Sequence, residues 1–72
     1  MPLPIAPTNH NLQVVKVLGD SRIVKHLASL GIVEGATMCL VDSSASGVVV
    51  SVLGSRLALG NDVARNIRVS PR

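Results

Sequence analysis

The side chains that could perform chemistry are few and lie far apart along the chain. His10, His26 and Cys39 are, apart from two methionines, the only soft or borderline metal ligands. No two of them share a ligand spacing such as CxxC or HxxxH, which argues against a closed metal site within one chain. A site shared between copies of the chain remains open as a hypothesis.

Catalytic patterns are equally sparse. Four carboxylates, two histidines and one cysteine are scattered so that no local element pairs a nucleophile with a base. The sequence also lacks a glycine-rich motif that would cradle a phosphate group. We therefore predict that the protein is not an enzyme.

The composition limits both the size of the domain and its binding modes. Seventy-two residues make one small domain, and 47% of them are hydrophobic although Phe, Trp and Tyr are absent. Stacking on nucleic-acid bases and recognition of proline-rich peptides both depend on aromatic side chains, so we expect neither. The net charge of +3 comes from Lys and Arg residues that are nowhere adjacent, a pattern more typical of a solvated surface than of a nucleic-acid interface.

The cellular setting is predicted from what the chain lacks. The single cysteine, Cys39, excludes an intramolecular disulfide and fits a reducing compartment. The start "MPLPIAP" does not resemble a signal peptide, and the most apolar stretch, "GVVVSVLG", is far shorter than a membrane span. We expect a cytoplasmic protein that does not cross a membrane.

The first half of the chain predicts one strand and one helix. Residues 1–11 read as an extended lead-in, and the β-branched run from Leu12 to Leu18 predicts a strand. A helix should follow over residues 22–30, capped by either Asp20 or Ser21. Its apolar face comprises Ile23, Leu27 and Leu30, and Gly31 should end it in the left-handed conformation.

The second half predicts a run of short strands. Gly35 should turn the chain into "ATMCLV", whose alternation places Met38 and Leu40 in the core. After the loop "DSSASG", "VVVSVL" and "RLAL" form strands joined by a "GS" turn, Asn61 caps a helical turn, and "IRV" forms the last strand. Five short strands and one helix in so small a chain favour a mostly antiparallel barrel.

Three features could form interaction surfaces. The first lies on the helix face opposite the apolar one, at i, i+3, i+4 and i+7, and comprises Arg22, Lys25, His26 and Ser29. It fits an acidic partner, although a solvated helix face is the simpler interpretation. The other two are an exposed strand edge around Val48 to Val52 and the apolar lip of Leu30, Ile32 and Val33.

Taken in order, "LASLGI", the "EG" turn, the alternating strand, "VLGSRLAL" and "DVARNIRV" resemble the FeoA family of small proteins of bacterial ferrous-iron transport. The resemblance spans residues 12–69, and it implies an SH3-like barrel over residues 12–70. The matching residues that look structural are Leu27, Leu30, Gly31, Gly35, Gly54, Leu57 and Leu59. The chain departs from the family pattern at turns and on the surface, with Glu34 where proline is common and His26, Ser55 and Gly60 as further differences.

What the resemblance implies is an accessory protein that docks on the membrane transporter FeoB and supports or regulates Fe(II) uptake. The residues expected to contact this partner are Arg22, Lys25, His26, Ser29, Ile32, Val33 and Glu34. Two alternatives remain. One is a freestanding, oligomeric metal-responsive module in which His10, His26 or Cys39 bind a transition metal such as Fe(II), and the other is a small-barrel nucleic-acid binder.

Overall fold

The computed structural model describes residues 1–72 and contains five strands, as expected from the sequence. A 3₁₀ turn at Leu3–Ile5 precedes them. The elements then follow as β1 (Asn11–Val17), α1 (Ser21–Ser29), β2 (Thr37–Ser43), β3 (Gly47–Val52), β4 (Ser55–Gly60), α2 (Asn61–Ala64) and β5 (Ile67–Pro71).

The five strands form one antiparallel sheet in the order β4-β3-β2-β1-β5. The register shifts at Val15 in β1 and at Val41 in β2, where an extra residue interrupts the pairing. Such bulges bend a strand and increase its twist, so the sheet curls around its inner face. This arrangement confirms the predicted mostly-β fold with one main helix.

The core consists entirely of apolar side chains. Alternate residues of the strands point inward, and Met38 and Leu40 are both buried, as the alternation of β2 predicts. Fourteen residues are buried in all, and none of them is polar. A core without aromatic rings is therefore filled by packing many small aliphatic groups closely.

The first residues of the chain belong to this core. Leu3 is completely buried, and Ala6 is nearly so. Met1 forms two hydrogen bonds with Val69, since its amine donates to the Val69 carbonyl and its carbonyl accepts from the Val69 N–H, each at 2.8 Å. The predicted lead-in thus packs on β5 and folds into a 3₁₀ turn where an extended chain was expected.

The hairpin between β3 and β4 turns one residue earlier than predicted. Val52 pairs with Ser55, so the two turn residues are Leu53 and Gly54, with φ of 52° and 77°. Positive φ at both positions is typical of a type I′ turn, whose twist suits a two-residue hairpin. The "GS" prediction was wrong because it gave the turn to the glycine and serine, whereas Leu53 adopts the left-handed conformation.

Two other details also differ from the sequence-based expectations. Gly60, not Asn61, is the N-cap of α2, and the Asn61 side chain instead donates to the Ala45 carbonyl at 2.6 Å.

The Val48–Val52 segment is not an edge, because β3 pairs with β2 on one side and β4 on the other. The sheet ends at β5, which is covered by Met1 and Pro2, and at β4, which has no second strand beside it.

Candidate docking surface on helix α1

Helix α1 begins at a side-chain cap. Asp20 is the N-cap, and its carboxylate accepts a hydrogen bond from the Ile23 N–H at 3.0 Å. This bond satisfies one of the amides that have no partner in the first helical turn. The sequence allowed either Asp20 or Ser21 as the N-cap, and the structure shows that it is Asp20.

The helix ends in a Schellman motif. The Gly31 N–H donates to the Ala28 carbonyl at 3.0 Å, and the Ile32 N–H donates to the Leu27 carbonyl at 2.9 Å. Gly31 has a φ of 91°, as predicted for a left-handed helix end. Leu27 and Ile32 are both buried, so the end of α1 is held by an apolar contact as well as by hydrogen bonds.

The outward face of α1 carries positive charge and no acidic residue. Arg22, Lys25, His26 and Ser29 are all exposed. The Ser29 hydroxyl donates to the His26 carbonyl, so it is already engaged within the helix. The side chains of Arg22, Lys25 and His26 can therefore contact a partner, and the helix that carries them is fixed at both ends.

Beside this face lies an open groove of about 320 Å³. Its apolar floor comprises Ile23 and Leu27 from α1 together with Val63 from α2. Asp20, Arg22 and His26 complete the lining. Sequence reasoning missed Val63, because nothing in the local pattern indicates that the short α2 comes close to α1.

The segment after the helix contributes less to the surface than expected. Ile32 is only 1% exposed, so it belongs to the core and must be removed from the predicted contact residues. Leu30 is half-buried, whereas Val33 and Glu34 are exposed. Gly35 takes a φ of 88°, and its N–H donates to the Val14 carbonyl at 2.8 Å. The turn is therefore attached to β1 and presents Val33 and Glu34 outward.

The three potential metal ligands lie on different elements. His10 is exposed just before β1, His26 is exposed on α1, and Cys39 is half-buried on β2. The Cys39 thiol lies 3.8 Å from the Leu40 carbonyl oxygen. No group of three or more His, Cys, Asp or Glu residues lies close enough together to hold a metal ion.

The curved five-stranded antiparallel sheet around one apolar core defines the molecule as an SH3-like barrel domain. Neither helix has the length and apolar character needed to cross a membrane. A family model described as the FeoA domain matches residues 1–71, and the chain therefore belongs to the FeoA family. Membership implies a role in ferrous iron transport, and the family is one of small accessory domains, not a known enzyme family.

Solved structures agree with this assignment. The chain is similar to the crystal structure of an iron uptake regulatory protein, FeoA, with 30% identity, a TM-score of 0.90 and coverage of 100% of this chain and 97% of the other. The solution structure of FeoA from Chlorobium tepidum is 22% identical, with a TM-score of 0.87 over 99% of this chain and 70% of that one. No curated protein matches the chain.

The same fold occurs inside larger regulators. The manganese regulator SloR is 15% identical, with a TM-score of 0.84 over 99% of this chain but only 34% of the regulator. At that identity the similarity shows the fold alone.

Proposed function

We propose that this protein is a non-enzymatic cytoplasmic accessory protein that docks on the FeoB transporter and supports or regulates Fe(II) uptake. The contact surface is the outward face of α1, with Arg22, Lys25 and His26, extended by Val33 and Glu34. We call these five residues the docking surface. Membership of the FeoA family supports the role in iron transport.

The observation that carries the proposal is the charge of α1. Its nine residues, Ser21–Ser29, include one arginine, one lysine and one histidine but no acid, and all three basic side chains are exposed. The N-cap carboxylate of Asp20 lies at the start of the helix, where it accepts from the Ile23 N–H. The helical part of the docking surface, which contains no acid, is suited to an acidic surface, because complementary charges speed encounter and set the orientation of docking.

The groove adds an apolar element to this electrostatic one. Ile23, Leu27 and Val63 form a floor beside the basic face, where a side chain of the partner can be buried. Burial of an aliphatic side chain contributes about 1.5–3 kcal/mol, more than an exposed ion pair does. Charge would therefore guide the partner, and the groove would hold it.

The test is retention of detergent-solubilised FeoB, from the source of this protein, on the immobilised chain. Measurements should be made with and without Fe(II) and guanine nucleotide. Lys25→Glu should weaken retention roughly fivefold at low salt, and added salt should reduce the difference because exposed charges are screened. Folding should be unaffected, since Lys25 is exposed.

Lys16→Glu is the matched control. Lys16 is also an exposed lysine, but it lies on β1 opposite Arg68, away from α1. It should retain FeoB as well as the unmodified chain does. Equal losses in the two variants would mean that only net charge matters, which would contradict docking through α1. Absence of retention by the unmodified chain in every condition would contradict the proposed function itself.

A further inference from the structure

Leu53 occupies an unfavourable position for its residue type. It is the first residue of the β3–β4 turn, has a φ of 52°, and is followed by Gly54. Both central positions of a type I′ turn favour Asn, Asp or Gly, because other side chains clash with the backbone in the left-handed conformation. Leucine therefore weakens the turn that it forms.

Burial does not compensate for this conformational cost. Leu53 is 83% exposed, the highest value among the large apolar side chains of the molecule. It does touch the end of α1, since a Cβ built on Gly31 would lie 2.6 Å from the Leu53 Cδ1. The contact covers only a small part of the side chain, and the rest faces solvent. An exposed residue held in a strained conformation indicates a role other than stability.

Leu53 lies against the segment that connects α1 to the rest of the docking surface. Its side chain lies over Gly31, and Val33, which belongs to the docking surface, follows two residues later and is 43% exposed. We propose that Leu53 is an apolar anchor that inserts into an apolar pocket on the cytoplasmic part of FeoB, and that the exposed Val33, two residues after Gly31, adds a second apolar contact. This inference rests on the proposed function and adds to the apolar contact that the groove provides.

A protein pocket suits Leu53 better than a lipid surface does. Leu53 at the hairpin tip and Val33 after α1 bury too little apolar area for stable membrane association, which usually needs two strong signals. A few side chains buried in well-packed pockets, by contrast, carry most of the binding energy of a protein interface. Arg56, exposed three residues after Leu53, favours a pocket with an acidic rim.

The test is Leu53→Asn, which should change stability and binding in opposite directions. The new Asn-Gly turn suits type I′ geometry, so the melting temperature should rise by about 4 °C. Retention of solubilised FeoB should fall about tenfold, because the anchor has lost its apolar surface. Leu53→Met, which keeps an apolar side chain in the same strained position, should leave both quantities near their original values.

Each alternative outcome is distinct. A lower melting temperature for Leu53→Asn would show that Leu53 stabilises the end of α1, and would overturn the inference. Normal retention by Leu53→Asn, with loss in Lys25→Glu, would overturn the anchor and leave the proposed function intact. No retention by the unmodified chain would overturn both. Binding of the unmodified chain, but not of Leu53→Asn, to phosphatidylglycerol vesicles without FeoB would assign the anchor to the membrane instead.

Discussion

Helix α1 has a regular amphipathic pattern, yet Leu27 is the only one of its nine residues that is fully buried. The proline-rich first segment has no regular pattern, yet it places Leu3 completely inside the core. The two regions also differ in how they are held. Hydrogen bonds with Val69 pair Met1 with the sheet, whereas α1 is fixed at its two ends by Asp20 and by the Gly31 turn.

This contrast indicates which of the two regions serves stability and which one can serve binding. A helix that contributes one anchor to the core can vary the rest of its surface to suit a partner, because exposed substitutions seldom change stability by more than about 0.5 kcal/mol. A segment that supplies a fully buried leucine has no such freedom. We therefore expect the first segment to be structural and α1 to carry the docking surface.

The largest effect should come from charging the single anchor of α1. Leu27→Asp places a carboxylate in an apolar core, where an unpaired polar or charged group costs several kcal/mol. The whole domain is expected to be stable by only about 4–11 kcal/mol, so this variant should lose its cooperative thermal transition. Ala28→Asp, at the next and exposed position, is the control and should unfold cooperatively. A folded Leu27→Asp variant would contradict the assignment of the inner face.

The next effect tests the first segment. Leu3→Ala should cost about 3 kcal/mol, because it removes a buried side chain and leaves a cavity. Ile5→Ala, in the same 3₁₀ turn, is the matched control, since Ile5 is 72% exposed. Thermal or denaturant unfolding should separate the two variants clearly. If they lost stability equally, the first segment would not be part of the core.

The smallest effect tests the start of α1. Asp20→Ala should cost about 1 kcal/mol, because the Ile23 N–H loses its side-chain acceptor. Ser21→Ala should change the free energy of unfolding by less than about 0.5 kcal/mol, since Ser21 is an exposed helical residue and not the cap. Denaturant unfolding of the two variants gives the comparison. A larger loss for Ser21→Ala would reverse the assignment of the cap.

Much of the fold could be predicted because local signals agree with it. The alternation of Met38 and Leu40 and the helix end at Gly31 each specify one structure, and the structure confirms both. The burial of Leu3 could not be predicted, because a single leucine between prolines has no periodicity. The turn at Leu53 was missed for a different reason, since propensity alone assigns the turn to glycine and serine.

The candidate surface was predictable only in part. Helical spacing identified Arg22, Lys25 and His26 as one face, and all three are exposed. The apolar lip predicted after the helix wrongly included Ile32, because the fold-back of a Schellman turn over Leu27 buries it. Val63 and Leu53 reach the surface beside α1 only through tertiary contacts, and no short-range pattern contains that information.

The place of β5 in the sheet has a consequence for the way in which the protein is made. β5 lies between β1 and the first two residues, so it joins parts of the chain that are separated by more than fifty positions. Closing so long a loop is slow compared with forming the β2–β3–β4 meander, whose contacts are local. During synthesis, β5 is the last strand to emerge, so one edge of β1 remains unpaired until residues 67–71 are available. The nascent chain is therefore most prone to aggregation in this interval.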